Sequence, residues 1–225
     1  MREPIAIYDM DKTITRGATW TPFLLHATRR GPSPWRLALW PIAGIAAAGY
    51  AARIIDRGRL KQATHRLMLG GRLHERDARA AAAGFADRIL KSGVLAGALA
   101  QISADRASGH RLVMATASYR FYAQAIAERL GFDAVIGTEI VSDSAGHVLA
   151  RIDGENCYGA GKLRMIEAWM RTQGLTRDAV SIRFYSDHVS DAPVLDWADE
   201  PFAVNAHGPL RVMAAARGWP VLDWR

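Results

Sequence analysis

The sequence predicts an α/β fold: a parallel-sheet core interrupted, after its first strand, by an inserted all-α cap. Three observations lead there. Short apolar runs at 5–8, 111–115, 134–136, 180–185 and 202–204 read as buried strands, and helical patterns separate most of them. Residues 14–108 carry alanine and leucine at helical spacing, and no strand pattern interrupts them. The 225 residues, half of them hydrophobic, suffice for one large domain with a smaller one inserted. The chain therefore divides into a catalytic core, 1–13 with 109–225, and a helical cap, 14–108.

In order, Ile5-Ala6-Ile7-Tyr8 forms the first strand. Helices are expected near 19–30, 35–56, 59–69, 75–92 and 95–108, punctuated by Gly31-Pro32-Ser33-Pro34 and by Gly70-Gly71. From Gly109 the texture changes. A strand at 111–115 precedes a helix at 119–130 and a short strand at 134–136. Residues 139–152 read as a hairpin turning at 142–146. A helix at 161–173, a strand at 180–185, a helix at 191–198 and a last strand at 202–204 complete the core.

The net charge of +7 is uneven. Residues 14–104 hold 14 Lys and Arg against 4 Asp and Glu, a local balance of +10 that leaves the remainder acidic. Solvated arginine faces account for this, as does a basic module that attracts anions above an acidic, metal-holding core. No nucleic-acid-binding motif accompanies the basic balance, so no nucleic-acid partner is expected. The single cysteine, Cys157, excludes an internal disulfide and fits the cytoplasm. Met1-Arg2-Glu3-Pro4 runs straight into a strand, without a secretory pattern. Residues 37–52 are unusually apolar, with Arg29, Arg30 and Arg36 before them and Arg53, Arg57, Arg59 and Lys61 after. This run is shorter than the roughly 20 residues a spanning helix needs. A buried cap helix is the expectation; the alternative is an interfacial segment whose arginines meet anionic headgroups at the inner membrane face.

Chemistry concentrates at strand ends. Asp9 and Asp11 follow the first strand two residues apart, so in extended chain they share a face. Two close carboxylates repel, and they persist where a cation neutralises them or one works as an acid–base group. Thr116-Ala117-Ser118 follows the strand at 111–115, Lys162 opens a helix, and Asp187 and Asp191 follow the strand at 180–185. In an open parallel sheet, ligands bind beyond these strand ends. Taken singly, Thr116, Asp187 and Asp191 also suit helix caps, and Lys162 a surface position.

These motifs in this order resemble the haloacid dehalogenase-like hydrolases, in the helical-cap branch (subfamily IB) that includes phosphoserine phosphatases. The run 185–195 and Asn156-Cys157-Tyr158-Gly159 ahead of Lys162 carry the likeness further. The resemblance implies a Rossmann-like core and an Mg²⁺-dependent phosphatase working through a phosphoaspartate. Asp9 would be the nucleophile and Asp11 the acid–base group. Thr116 and Lys162 would bind the phosphoryl group. Mg²⁺ would be held by Asp9, Asp187 and the Asp11 backbone carbonyl, with Asp191 in support; Mn²⁺ suits such oxygen sites equally. Transport ATPases of this superfamily lack an aspartate in the place of Asp11, so its presence favours turnover. His188 reads as a supporting or structural group, and Cys157 as a small apolar residue.

The substrate is less legible. Phosphoserine phosphatases carry a glutamate nine residues after the nucleophile to hold the substrate amine, where this chain has Ala18. Their carboxylate-binding arginine has a loose counterpart in Arg66. Phe23-Leu24-Leu25, Arg29-Arg30 and the apolar segment with Pro41 resemble the cap of phosphatidylglycerophosphatase C. The leading expectation is a phosphatase of a small phosphorylated metabolite. The alternative is a peripheral membrane phosphatase of a lipid phosphate. A non-catalytic anion- or membrane-binding protein fits less well, because the full motif set is present.

Overall fold

The structure is a computed structural model and describes residues 2–225. Strand β1 (Glu3–Tyr8) is buried at Ile5, Ala6, Ile7 and Tyr8, so both of its faces are covered, as a central parallel strand requires. It lies inside a six-stranded sheet of order β4-β3-β1-β7-β8-β9, comprising β3 (Arg111–Tyr119), β4 (Ala134–Thr138), β7 (Val180–Ser186), β8 (Glu200–Val204) and β9 (Val221–Leu222). Every pairing in it is parallel. Ile5 and Ile7 share one apolar layer with Ile166 of α7 (Ala160–Thr172), Val194 of α8 (Ala192–Trp197) and Leu210 of α9 (Gly208–Arg217). Ala6 and Tyr8 face the opposite layer, built on α5 (Ala96–Ala107) and α6 (Arg120–Leu130). This α/β, Rossmann-like architecture is the expected fold class.

A polar knot lies in the second layer. The Tyr8 and Tyr185 rings, register partners on neighbouring strands, stack 4.5 Å apart. Both hydroxyls donate to Asp105 Oδ2, at 2.5 and 3.0 Å, and Arg183 reaches Asp105 Oδ1 at 2.8 Å. Asp105 is fully buried, so its charge depends on these partners.

Between β1 and β3 the chain forms α1 (Trp20–Arg30), a 3₁₀ turn (Pro34–Leu39), α2 (Trp40–Ala51), α3 (Arg57–Met68), β2 (Arg72–His74), α4 (Glu75–Ser92) and α5. The helix expected over 35–56 is broken in two, because Pro41 starts a new helix and Arg53, at φ 59°, stands in the left-handed region just beyond its end. The expectation that no strand interrupts the insertion is corrected. β2 pairs antiparallel with β6 (His147–Ile152), which pairs with β5 (Ile140–Ser142) in a small second sheet. Leu73 is the one apolar residue of β2, too short a pattern to read without its partner strand. α4 packs on α6 and α5 on β3, so the insertion grips the core at both sheets. Absent from the sequence reading were also α9 and β9.

The expectation of a buried helix at 37–52 is overturned. Within α2 only Ala43 is buried; Ile42 is 46% and Ile45 71% exposed, and Ile54 beyond it 75%. α2 packs along α3 and the preceding 3₁₀ turn, and Leu37 reaches the core, but the outer face of α2 is left exposed. No helix among the described residues is long and apolar enough to cross a membrane.

Candidate active site

Asp9 is the first residue past β1, and its N–H donates to the Tyr185 carbonyl at 2.9 Å, which anchors it at the carboxyl edge of the sheet. The chain then turns sharply: Lys12 takes φ 64°, a left-handed conformation costly for a non-glycine residue, which here swings the backbone towards α1. Asp9, Asp11, Lys162, Asp187 and Asp191 line one cavity, with Ala18 and Arg57 contributed by the insertion.

Lys162 stands in the first turn of α7 and is fully enclosed, 2% exposed. Its Nζ donates to Asp9 Oδ1 at 2.8 Å and to Asp191 Oδ2 at 2.6 Å. Burial works against this ammonium, but Asp191 and Asp9 outweigh it and raise its pKa, so it stays charged. Asp191 Oδ2 also accepts from Ser186 Oγ at 2.7 Å. Asp9 Oδ2 has one long contact, from Thr13 Oγ1 at 3.4 Å, while the same Thr13 oxygen accepts the Asp187 N–H at 3.0 Å. Thr13 thus sets the spacing between the first and last motifs.

Asp11 turns elsewhere. Its Oδ1 accepts the Thr19 N–H and the Thr19 hydroxyl, and its Oδ2 accepts Ser118 Oγ at 3.1 Å. Thr116 is buried at the end of β3 and is not part of the cavity wall; Ala117 is. Thr116 Oγ1 accepts the Ser118 N–H at 3.1 Å, and its own proton has no acceptor among the described residues. Arg66 is exposed in a separate groove beside Arg59 and Ala150, so the loose counterpart for a carboxylate-binding arginine lies away from the cavity. Arg57 is there instead, its guanidinium 4.7 Å from the Tyr158 ring centroid across the mouth. His188 Nδ1 meets Ser190 Oγ at 2.9 Å, and Cys157 is buried.

The carboxylates are crowded relative to their cations. Burial raises Asp9, opposed by Lys162 and reinforced by Asp191 and Asp187. Burial raises Asp187 to about 6, opposed by Lys12. Asp191 Oδ1 is buried without a partner. Such a donor set suits a further hard cation. No group of three His, Cys, Asp or Glu side chains converges as a metal cluster among the described residues. Two carboxylates with a backbone carbonyl and waters still fit Mg²⁺, which keeps several waters and needs few protein ligands.

Sequence reasoning missed Arg57, Lys61, Thr19 and the role of Ser118. For Lys61 one signal was present: lysines are scarce in this arginine-rich chain, and Lys12, Lys61 and Lys162 all lie at or beside the cavity.

An acidic pocket built around one shared lysine thus lies at the carboxyl edge of a Rossmann-like sheet, beside the helical insertion, an arrangement of the hydrolase class. The chain belongs to the haloacid dehalogenase-like hydrolases, whose family model matches residues 6–196. Protein CicA of Caulobacter vibrioides is 32% identical over 203 residues, 88% of this chain and 85% of that protein. A protein named histidinol-phosphatase from Neisseria meningitidis is 26% identical over 125 residues, 55% of this chain. The chain spans about half the length of such curated relatives, 56% for that one and 41% for another. Among solved structures, a Bordetella pertussis protein described as of unknown function superposes with a TM-score of 0.91 at 22% identity, covering 100% of both chains. A phosphoserine phosphatase, solved as a phospho-aspartyl intermediate analogue, gives 0.65 at 14% identity, covering 100% of this chain and 95% of that one. At these identities the likeness is one of fold.

Proposed function

We propose that this chain is a phosphoric monoester hydrolase that dephosphorylates a small phosphorylated metabolite through a phosphoaspartyl intermediate, with residues 1–13 and 109–225 as catalytic core and 14–108 as cap. The observation that carries the reading is the Asp9–Lys162–Asp191 triad beside Asp187 in one cavity. Asp9 Oδ2, free of short contacts, attacks phosphorus, while Lys162 holds Oδ1 and so aims the carboxylate. The ester P–O bond breaks as the aspartyl–phosphate bond forms. Asp11, held by Thr19 and Ser118, gives its proton to the leaving oxygen, then takes one from the water that hydrolyses the intermediate. Lys162 offsets the charge that gathers on the phosphoryl oxygens; Thr116, also expected to bind them, stands behind Ala117 outside the cavity wall and is left out of this step. The Asp9 and Asp187 carboxylates and the Asp11 carbonyl would hold Mg²⁺, with Asp191 supporting them. When bound, the ion neutralises the carboxylates and lets an anionic nucleophile meet an anionic substrate.

The exposure of α2 favours a second reading, a lipid phosphate at an anionic membrane surface. Tyr50, Ile54, Arg53 and Arg59 share one surface groove, which joins apolar and basic groups as a headgroup boundary requires. Four residues past Arg53, Arg57 lines the cavity.

One assay tests both readings: phosphate release with Mg²⁺ from phosphoserine, p-nitrophenyl phosphate and phosphatidylglycerophosphate in mixed micelles, with Asp9→Asn protein as blank. Release above the blank from the soluble esters supports the first reading. Faster release from the lipid, together with salt-sensitive sedimentation on anionic vesicles that Ile45→Glu abolishes, supports the second. No release from any ester overturns both.

A further inference from the structure

Lys61 is a buried ammonium without a carboxylate partner. It lies in the second turn of α3 and is 5% exposed. Its Nζ donates to the Ala117 carbonyl oxygen and, at 2.8 Å, to Asn156 Oδ1; it also lies 5.7 Å from the Tyr119 ring centroid. Both acceptors are neutral. A cation buried against neutral acceptors gives up its hydration without the return that an ion pair supplies. Burial, reinforced by the Arg57 charge, accordingly pulls Lys61 down to about 7. A lysine retained at that cost in an otherwise arginine-rich insertion calls for a reason beyond packing.

Its two acceptors supply the reason. Ala117 sits between Thr116 and Ser118 and lines the cavity. Asn156 belongs to the loop that leads into α7 and Lys162. Thr138 Oγ1, at the end of β4, stands 2.8 Å from both of these oxygens and accepts the Cys157 N–H at 3.1 Å. Lys61 therefore closes a junction of three segments: the insertion, the bulged end of β3, and the loop before α7. An unengaged Ala117 carbonyl oxygen beside the cavity would repel an anionic ligand, and the ammonium offsets its negative end.

We propose that Lys61 is a positioning residue for phosphoryl transfer, which from the insertion pins the Ala117 carbonyl and the Asn156 side chain together and so sets the bulged Thr116–Ser118 end of β3 against the loop that leads into α7 and Lys162. The proposal rests on reading the cavity as a phosphatase site. Lys61 donates to none of Asp9, Asp187 and Asp191; it acts through these two segments. Its ammonium is faced by Arg57 on its own helix, by Asp11 after β1, and by Cys157 and Lys162 on either side of the start of α7.

The test compares native protein, Asp9→Asn, Lys61→Met and Lys61→Arg on p-nitrophenyl phosphate with Mg²⁺, across pH, alongside thermal unfolding. Lys61→Met is expected to lower kcat by about tenfold or more while KM moves less than about threefold, as for an interaction that matters in the transition state. Its thermal midpoint is expected to change little, because relief of a buried charge offsets the loss of a donor to the Ala117 and Asn156 oxygens. Lys61→Arg keeps the charge at all working pH values and is expected to recover part of kcat and to shift upward any fall in kcat above about pH 7. The proposal is overturned if Lys61→Met matches native kcat, if its defect is confined to KM, or if activity falls only in step with a lowered thermal midpoint. The methionine variant decides alone if the arginine variant does not fold. Native protein that releases no phosphate above the Asp9→Asn blank would overturn the phosphatase reading itself, and this proposal with it.

Discussion

Thr19 gives both its backbone N–H and its hydroxyl to one oxygen of Asp11, at 2.8 and 2.7 Å. The residue that precedes α1 is thereby tied to the carboxylate proposed for proton transfer, and Asp11 is turned away from Asp9 and towards Ser118. A hydrogen bond to a charged group contributes about 1.5–3 kcal/mol. Thr19→Val keeps the shape and the N–H but removes the hydroxyl. We expect kcat to fall by about tenfold or more with little change in KM. A native kcat in steady-state phosphate release would show that Asp11 needs no such restraint.

Acid stability should depend on Mg²⁺. His65 is fully buried with neither ring nitrogen paired, and burial, reinforced by Arg66, lowers it to about 4. The unfolded chain binds this proton below about pH 6.5, so stability at His65 is present above that pH and is lost as pH falls towards 4, by about 3 kcal/mol in all. Asp187, raised to about 6, has the opposite sign: its contribution is present below about pH 3.9 and is lost as pH rises through 6. In metal-free protein the two effects oppose one another across the same window. Mg²⁺ at the carboxylates would cancel the second and leave the first. Thermal midpoints from pH 4 to 7 should therefore rise with pH more steeply with Mg²⁺ than with EDTA, and His65→Leu should flatten the Mg²⁺ curve. Identical slopes with and without the ion would count against a metal at Asp187.

Asp105 ties Tyr8, Tyr185 and Arg183 together beneath the sheet. Replacing it with alanine leaves two buried hydroxyls and a partly buried guanidinium without their acceptor. Removal of one partner of a buried charged pair costs about 3–5 kcal/mol. We expect Asp105→Ala to lose stability on that scale in urea unfolding, while the folded fraction keeps its turnover. A loss under about 1 kcal/mol would mean that water re-enters and satisfies these groups.

Ala18 lines the cavity with no carboxylate, so nothing at that position balances a substrate ammonium. Ala18→Glu should raise kcat/KM for phosphoserine relative to p-nitrophenyl phosphate by about tenfold, the effect of one new charge-assisted contact of about 1.4 kcal/mol. An unchanged ratio would place the amine-binding function elsewhere or remove phosphoserine from consideration.

Much of the site was legible because parallel strands deliver their last residues to one edge. Asp9, Lys162, Asp187 and Asp191 are spread across the chain, yet each follows a buried apolar run or opens a helix, and the structure brings them into one cavity. Arg66 and Arg57 show the limit. Both lie on α3, nine residues apart and so on opposite faces of the helix, and only the seating of that helix on the core decides that Arg57 meets the cavity and Arg66 a separate groove. Only the scarcity of lysine marked Lys61, since its acceptors, Ala117 and Asn156, are remote in sequence and reach it only when the insertion seats on the core.

The sequence by itself determined the α/β class, the strand-end chemistry and the presence of a helical insertion, because periodicity and strand-end placement are local properties of the chain. Only the tertiary structure decided that β2 pairs with β6, that Arg57 lines the cavity and Lys61 bonds to its Ala117, and that α2 stands exposed. Burial is a relation between segments: residues 37–52 are apolar enough for a core, but α3 covers one side of α2 and leaves Ile42 and Ile45 exposed.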